Sequence, residues 1–115
     1  MKYLLMIYGE EKIWDSYSDA ERGKMYAEFG KFTQKIKDSG KYLGGNPLKP
    51  ISTATTVRVR DGKQMVTDGP FAETKEQLGG YYLVEATDLD DAIKIAAKIP
   101  SARSGSIEVR PILPM

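Results

Sequence analysis

The sequence predicts a small α+β domain of ferredoxin-like architecture, a split β-α-β arrangement with an inserted β-hairpin. Three observations lead to this prediction: an apolar strand pattern at the N-terminus, two amphipathic helix patterns, and a strong two-residue hairpin signal between them. The expected element order is β-α-β-β-β-β-α-β. At 115 residues the chain has the commonest size of one domain, so residues 1–115 are expected to form a single domain.

The first strand is expected from Lys2 to Tyr8, where apolar side chains occupy both alternating positions. One face carries Tyr3, Leu5 and Ile7, and the other carries Leu4, Met6 and Tyr8. This strand should therefore be central in its sheet and covered on both sides.

The first helix is expected after a loop from Glu10 to Tyr17. Ser18 and Glu21 have capping-box spacing, and the apolar residues that follow recur at helical steps. These apolar residues are Met25, Phe29, Phe32 and Ile36. Gly40 suits a left-handed cap that ends the helix.

The middle of the chain predicts a short strand and then a hairpin. The strand runs from Lys41 to Gly45, and an irregular loop follows it. Asp61-Gly62 joins a strand from Thr53 to Arg60 to one from Lys63 to Thr67, and a type I′ turn would place Val57 opposite Val66 and Arg58 opposite Met65.

The last third predicts a strand from Gly79 to Ala86, a helix from Asp88 to Ile99 that Pro100 ends, and a closing strand from Ser106 to Ile112. Two helices can cover only one face of the sheet. A second copy of the same sheet is the simplest cover for the other face, so we expect a homodimer.

Composition excludes several classes of protein. Seventeen basic and sixteen acidic residues leave a net charge of +1, which argues against direct binding of nucleic acid or of an anionic membrane. With no Cys and no His, the chain lacks thiolate nucleophiles and the commonest metal ligands. The glycine pairs at Gly44 and Gly79 lack nucleotide-binding spacing. We therefore expect a soluble cytoplasmic protein without metal or cofactor.

Residues Asp68 to Glu76 read DGPFAETKE, which resembles the signature of the DGPF group of the YCII-related family. The segments Lys2 to Gly9, Thr55 to Arg58 and Ile107 to Pro111 extend the resemblance over nearly the whole chain. The resemblance implies a ferredoxin-like domain that pairs into a dimeric α+β barrel.

The resemblance implies less about activity, since most members have no established reaction. Distant relatives are thought to use a His and Asp pair; here Asp38 matches the acidic member, but Phe29 stands at the position of the histidine. Genes of the DGPF group are also often found beside genes for extracytoplasmic-function sigma factors, which suggests a regulatory or accessory role. Whether the protein is an enzyme therefore stays open, with a non-enzymatic regulatory or accessory partner of such a sigma factor as the alternative.

The expected function is binding of a small molecule in a dimer cleft near the DGPF loop, with carboxylate-based chemistry. Asp68 is the candidate catalytic base, although turn or capping hydrogen bonds explain the same residue type. Arg58, with Arg60 and Lys63, can hold an anion or pair with Glu108 or Glu85. The remaining candidate ligand contacts are Glu73, which solvation also explains, Phe71, which can instead anchor its loop in the core, and Tyr82.

Overall fold

The computed structural model describes residues 1–115, which form six strands and three α-helices. In chain order they are β1 (Lys2–Gly9), α1 (Glu11–Ser16), α2 (Asp19–Asp38), β2 (Tyr42–Pro47), β3 (Thr55–Arg60), β4 (Lys63–Asp68), β5 (Gln77–Glu85), α3 (Leu89–Ala97) and β6 (Ser106–Pro111). Short 3-10 turns lie at Ile51–Thr53 and Pro100–Arg103.

Four strands form one antiparallel sheet in the order β2-β5-β1-β6, and β3 and β4 form a separate two-stranded sheet. The chain therefore has a ferredoxin-like α+β arrangement with an inserted hairpin, as the sequence predicts. Strand bounds differ from the prediction by one or two residues at most ends. Asn46 and Pro47, for which the sequence predicts a loop, continue β2 because they pair with Tyr81 and Gly80 of β5.

The core lies between the helices and one face of the four-stranded sheet. Tyr3 and Leu5 of β1 stand opposite Val84 and Tyr82 of β5, and all four side chains are buried. Helices α2 and α3 cover this face with Phe32, Ile36, Ala92, Ile95 and Ala96.

Helix α2 begins and ends as its sequence predicts. The Ser18 side chain accepts a hydrogen bond from the Glu21 amide, and the Glu21 carboxylate accepts one from the Ser18 amide. This second bond lowers the pKa of Glu21. Gly40 follows the helix with a φ of 76°, a conformation that glycine adopts without a steric cost.

The prediction of a loop from Glu10 to Tyr17 is wrong, because Glu11–Ser16 form α1. The side chain of the N-cap residue Glu10 makes no capping hydrogen bond, so the usual local signal is missing. Distant residues hold it instead: Gln77 Oε1 accepts a hydrogen bond from the Glu11 amide, and Arg22 donates to the carbonyls of Trp14 and Asp15.

The hairpin has the predicted register, with Val57 opposite Val66 and Arg58 opposite Met65. Every residue from Val57 to Asp68 is exposed, so the hairpin stands away from the rest of the domain. The radius of gyration is accordingly 16.1 Å, against about 13 Å for a compact chain of this length.

The second face of the four-stranded sheet has no covering helix. Its cross-strand pairs are apolar: Leu4 with Leu83, Met6 with Tyr81, and Tyr8 with Leu78. The molecule is only 19 Å thick, which is the depth of one helix layer on one sheet. None of the helices is both long enough and apolar enough to cross a membrane.

Candidate functional site

A cavity of about 570 Å³ lies between α1, the middle of α2 and one end of the sheet. This volume is typical of sites that hold small organic molecules. Eight of its lining residues are aromatic: Tyr8, Trp14, Tyr17, Tyr26, Phe29, Tyr42, Tyr81 and Tyr82.

The floor of the cavity is Tyr82, whose ring reaches into the core. Its ring centroid lies 5.2 Å from that of Phe32 and 6.4 Å from that of Tyr42, both in edge-on geometry. The hydroxyl groups of Tyr82 and Thr33 are hydrogen-bonded at 2.7 Å. Burial raises the pKa of Tyr82, so its hydroxyl is neutral at physiological pH and presents a polar, uncharged group.

The outer wall of the cavity is an aromatic cluster around Trp14. The Trp14 ring centroid lies 5.3 Å from that of Tyr26 and 5.8 Å from that of Tyr17, and the guanidinium of Arg22 lies 5.8 Å from the Trp14 centroid. Arg22 also holds two carbonyls at the end of α1. These contacts position Trp14 through side chains of α2 rather than through the core.

The rim connects the cavity to the DGPFAETKE loop. Gln77, the first residue of β5, accepts a hydrogen bond from the Glu11 amide and donates hydrogen bonds to the carbonyls of Thr74 and Lys75. The Glu11 carboxylate accepts a hydrogen bond from the Ile51 amide at 3.0 Å. The C-terminal end of the loop is therefore tied to α1 at the cavity mouth.

A glycine permits the close approach of β2 to the cavity floor. A Cβ atom at Gly45 would lie 2.8 Å from the Tyr82 ring and 2.9 Å from the Tyr81 carbonyl oxygen. Of the pair Gly44-Gly45, Gly45 thus has a packing role.

A buried hydroxyl without a partner lies in the cavity wall. Ser101 Oγ has no hydrogen-bond partner, and Ser101 lines the cavity with Ser104 and Gly105. Buried polar atoms normally have a partner, so this oxygen can bond to a molecule in the cavity.

Of the five site residues predicted from the sequence, Tyr82 lines this cavity and the other four do not. Asp68 ends β4, and Arg58 lies in the middle of β3, on the hairpin face that also carries Arg60. Both side chains are exposed, as is that of Glu73 in the loop.

Several contacts that the sequence suggests for these residues are absent from the structure. Phe71 is 79% exposed, so the expectation that it anchors its loop in the core is wrong for the single chain. No helical turn begins near Pro70 for Asp68 to cap. Glu85 pairs with the N-terminal amine and Glu108 pairs with Arg110, so neither carboxylate is the partner of Arg58.

The positions that correspond to the relatives' His and Asp pair do not meet in this cavity. Phe29 lines the cavity, whereas Asp38, at the end of α2, accepts a hydrogen bond from Gln34 at 2.8 Å and does not line it. No group of three or more carboxylates is placed to hold a metal ion.

Sequence reasoning missed the contribution of α1, above all that of Trp14, Glu10 and Glu11. Their segment has no capping residue, and its helical pattern is too short to distinguish from a loop. The one usable signal was the chain's single tryptophan, because a large aromatic residue outside the periodic elements often marks a binding surface.

The antiparallel sheet, the helices on one of its faces and the aromatic cavity at its end define a ferredoxin-like α+β domain with a candidate ligand site. All residues, 1–115, match the family model described as the YCII-related domain. The chain is also 36% identical over 114 residues to an uncharacterized protein of Rhizobium meliloti (strain 1021), an alignment that covers 97% of this chain and 92% of that protein. The chain belongs to the YCII-related family.

Proposed function

We propose that this YCII-related protein, a member of the DGPF group, binds a small organic molecule in the aromatic cavity between α1, α2 and the sheet. The observation that carries the proposal is the cavity itself: about 570 Å³, eight aromatic residues, and polar hydroxyl groups at Thr33, Tyr82 and Ser101. Apolar walls with a few convergent polar groups are typical of ligand sites.

The test fills the cavity from α2. Gly30 lines the cavity, and a Cβ atom there would meet no atom within 4 Å, so the variant Gly30→Phe places a ring in the open space. Gly23, two turns earlier on the same helix, has equal room for a side chain and does not line the cavity. Gly23→Phe is therefore the matched control.

A thermal-shift screen of metabolites on the three proteins gives the result. We expect at least one compound to raise the melting temperature of the wild type and of Gly23→Phe but not that of Gly30→Phe, because a ligand stabilises only the protein that binds it. A screen in which every stabilising compound acts equally on Gly30→Phe would place binding elsewhere.

We further propose that the protein is a homodimer in which the open sheet faces pack together as a dimeric α+β barrel. The support is the uncovered row of apolar pairs between β1 and β5. The exposed Val57, Val59 and Val66 of the hairpin add apolar surface that a single chain leaves in water. A two-stranded hairpin alone is marginally stable, so a partner's contacts would support it.

Carboxylate chemistry at Asp68 belongs to the same proposal, with Arg58, Phe71 and Glu73 as ligand contacts from the hairpin and its loop. These exposed residues reach a ligand only if a second chain brings them to a cleft. The variant Asp68→Asn keeps the shape of the side chain and removes its basicity. If Asp68 is the base, turnover of a stabilising metabolite is lost in this variant, and unchanged turnover and stabilisation would leave Asp68 without a catalytic role.

A second candidate function is a regulatory or accessory role beside an extracytoplasmic-function sigma factor. The observation that favours it is a groove of about 690 Å³ between α2 and α3, lined by six basic and two acidic residues. Lys41 is bonded to Asp91 and Arg103 to Glu28 at its ends, which leaves Lys31, Lys35, Lys94 and Lys98 to attract an acidic partner segment.

Charge reversal in the groove separates this role from ligand binding. Lys31→Glu with Lys35→Glu should abolish co-purification of a sigma factor encoded beside the gene, while Lys12→Glu with Lys49→Glu, outside the groove, should not. Equal recovery by both double variants, or no recovery by the wild type, would contradict a sigma-factor contact in this groove.

A further inference from the structure

The charged residues that line the aromatic cavity are all acidic. They are Glu10, Glu11 and Asp15, and no Lys or Arg lines this cavity. The whole chain has 17 basic and 16 acidic residues, so an average sample of its surface would contain both signs. The groove between α2 and α3 is predominantly basic. The cavity and the groove thus have opposite charge.

The acidic side chains have free oxygens. The Glu11 carboxylate accepts one hydrogen bond, from the Ile51 amide, through Oε2. The side chains of Glu10 and Asp15 form no hydrogen bond or ion pair within the chain. A carboxylate without an internal cation attracts one from solution, and the partial burial of Glu10 and Glu11 strengthens that attraction.

The aromatic rings of the cavity also attract cations. The face of an aromatic ring is electrostatically negative, and Trp binds cations best. Two rings of this site already lie against cations within the chain: Arg22 is 5.8 Å from the Trp14 centroid, and Lys37 Nζ is 5.0 Å from the Tyr42 centroid.

Neither of these two internal cations forms an ion pair with a carboxylate of the cavity. Neither Arg22 nor Lys37 lines it. The carboxylate nearest to the Arg22 guanidinium is that of Asp19, at 4.0 Å, outside the cavity. None of the three cavity carboxylates therefore forms an ion pair within the chain.

A partnerless oxygen lies on the same side as Glu10. The Gly105 amide donates to the Ser101 carbonyl, and Gly105 packs directly against the backbone of Tyr8 and Gly9, which leads into Glu10. The buried Ser101 Oγ, which has no partner, can accept a hydrogen bond from an N–H group.

We infer that the cavity binds an organic cation: a primary or secondary amine, protonated at neutral pH, on an apolar or aromatic body. The rings and the neutral Tyr82 and Thr33 hydroxyls would contact the body, and the carboxylates would contact the ammonium group. This inference rests on the proposed function, because it assigns the ligand class of the same cavity. It also predicts that the cavity does not bind organic anions.

Three probes of nearly equal shape and different charge test the inference: 2-phenylethylammonium, 2-phenylethanol and 3-phenylpropionate. Trp14 is the only tryptophan of the chain and lines the cavity, so its fluorescence reports occupancy directly. We expect the ammonium compound to bind about tenfold more tightly than the alcohol, and the carboxylate to bind most weakly.

Two double variants that each remove two negative charges test whether the preference for the ammonium compound comes from the carboxylates at the cavity mouth. Glu10→Gln with Asp15→Asn removes two carboxylates that make no hydrogen bond within the chain. Asp61→Asn with Asp90→Asn removes the same charge outside the cavity. The first pair should reduce the preference for ammonium over alcohol at least about fivefold and leave the alcohol's affinity within about twofold. The second pair should reproduce the wild type, and melting curves verify that all variants fold.

The inference and the proposed function fail in different ways. Equal or tighter binding of 2-phenylethanol or 3-phenylpropionate would overturn the cation inference and leave the cavity a ligand site. The cation inference also fails, with the ligand site intact, if both double variants reduce ammonium binding alike. If no probe alters Trp14 fluorescence, the inference fails, and the comparison of Gly30→Phe with Gly23→Phe decides independently whether the cavity binds any ligand.

Discussion

The hydrogen bond between the hydroxyl groups of Tyr82 and Thr33 lies at the cavity floor and contributes to the stability of the fold. In Tyr82→Phe this bond is lost and the Thr33 hydroxyl has no partner, so we expect the free energy of unfolding to fall by about 1 kcal/mol at neutral pH. Tyr17→Phe is the control, because the Tyr17 hydroxyl makes no hydrogen bond within the chain. Urea unfolding at about pH 8 measures both losses.

Tyr82 should also govern part of the response to alkali. Burial raises its pKa above 10.0, so the folded state retains the proton at a pH where the unfolded chain releases it. Its contribution is complete below pH 10.0 and is lost as the pH rises toward the raised pKa. The decline in stability between about pH 8 and about pH 10.5 should therefore be smaller in Tyr82→Phe than in the wild type. Equal declines would show that the environment of Tyr82 is not desolvated.

Two adjacent glycines offer a test of the close packing beneath the cavity. At Gly45 a Cβ atom would press on the Tyr82 ring and on the Tyr81 carbonyl, whereas at Gly44 it would meet nothing within 4 Å. We expect Gly45→Ala to cost about 1 to 3 kcal/mol of stability and Gly44→Ala to stay within about 0.5 kcal/mol of the wild type. Chemical denaturation measures both, and similar losses in the two variants would mean that β2 lies farther from Tyr82.

Among the elements, α2 has the capping and periodicity patterns that predict a helix from sequence, and α1 has almost none of them. The capping box at Ser18 and Glu21 is visible in the sequence and is present in the structure. Ser18→Ala should lower the free energy of unfolding by about 1 kcal/mol, because an amide in the first turn loses its acceptor. Ser52→Ala, whose hydroxyl makes no hydrogen bond, should have no comparable effect. Equal melting curves for Ser18→Ala and the wild type would show that the cap does not limit stability.

The case of α1 shows how an element can escape prediction. Six residues form a helix too short to be stable by itself, and the N-cap residue Glu10 does not cap its start. Its support comes from Gln77 and Arg22, which lie outside its own segment. Sequence patterns report local periodicity, so they indicate α2 and miss α1, and with it the outer wall of the cavity.

At the scale of the whole molecule, the open sheet face predicts self-association. Leu83→Glu places a charge in the middle of the apolar row between β1 and β5, and we expect it to shift the mass in light scattering from twice that of the 12.8 kDa chain to that of one chain. Leu89→Glu is the control, because Leu89 is 50% exposed in the first turn of α3, where an acidic residue is favourable. A wild type with the mass of one chain at all micromolar concentrations would contradict the dimer.

The sequence by itself determined the order of the six strands and of α2 and α3, the hairpin register and the ends of α2, because strand alternation, the Asp61-Gly62 turn and the capping box act between residues close along the chain. It also indicated Tyr82 as a candidate ligand contact. Only the tertiary structure decided that Trp14, Glu10 and Ser101 line one cavity with Tyr82 and that Asp68 does not. Those residues come from elements far apart in sequence, and their proximity follows from how the helices pack on the sheet, which no local pattern contains.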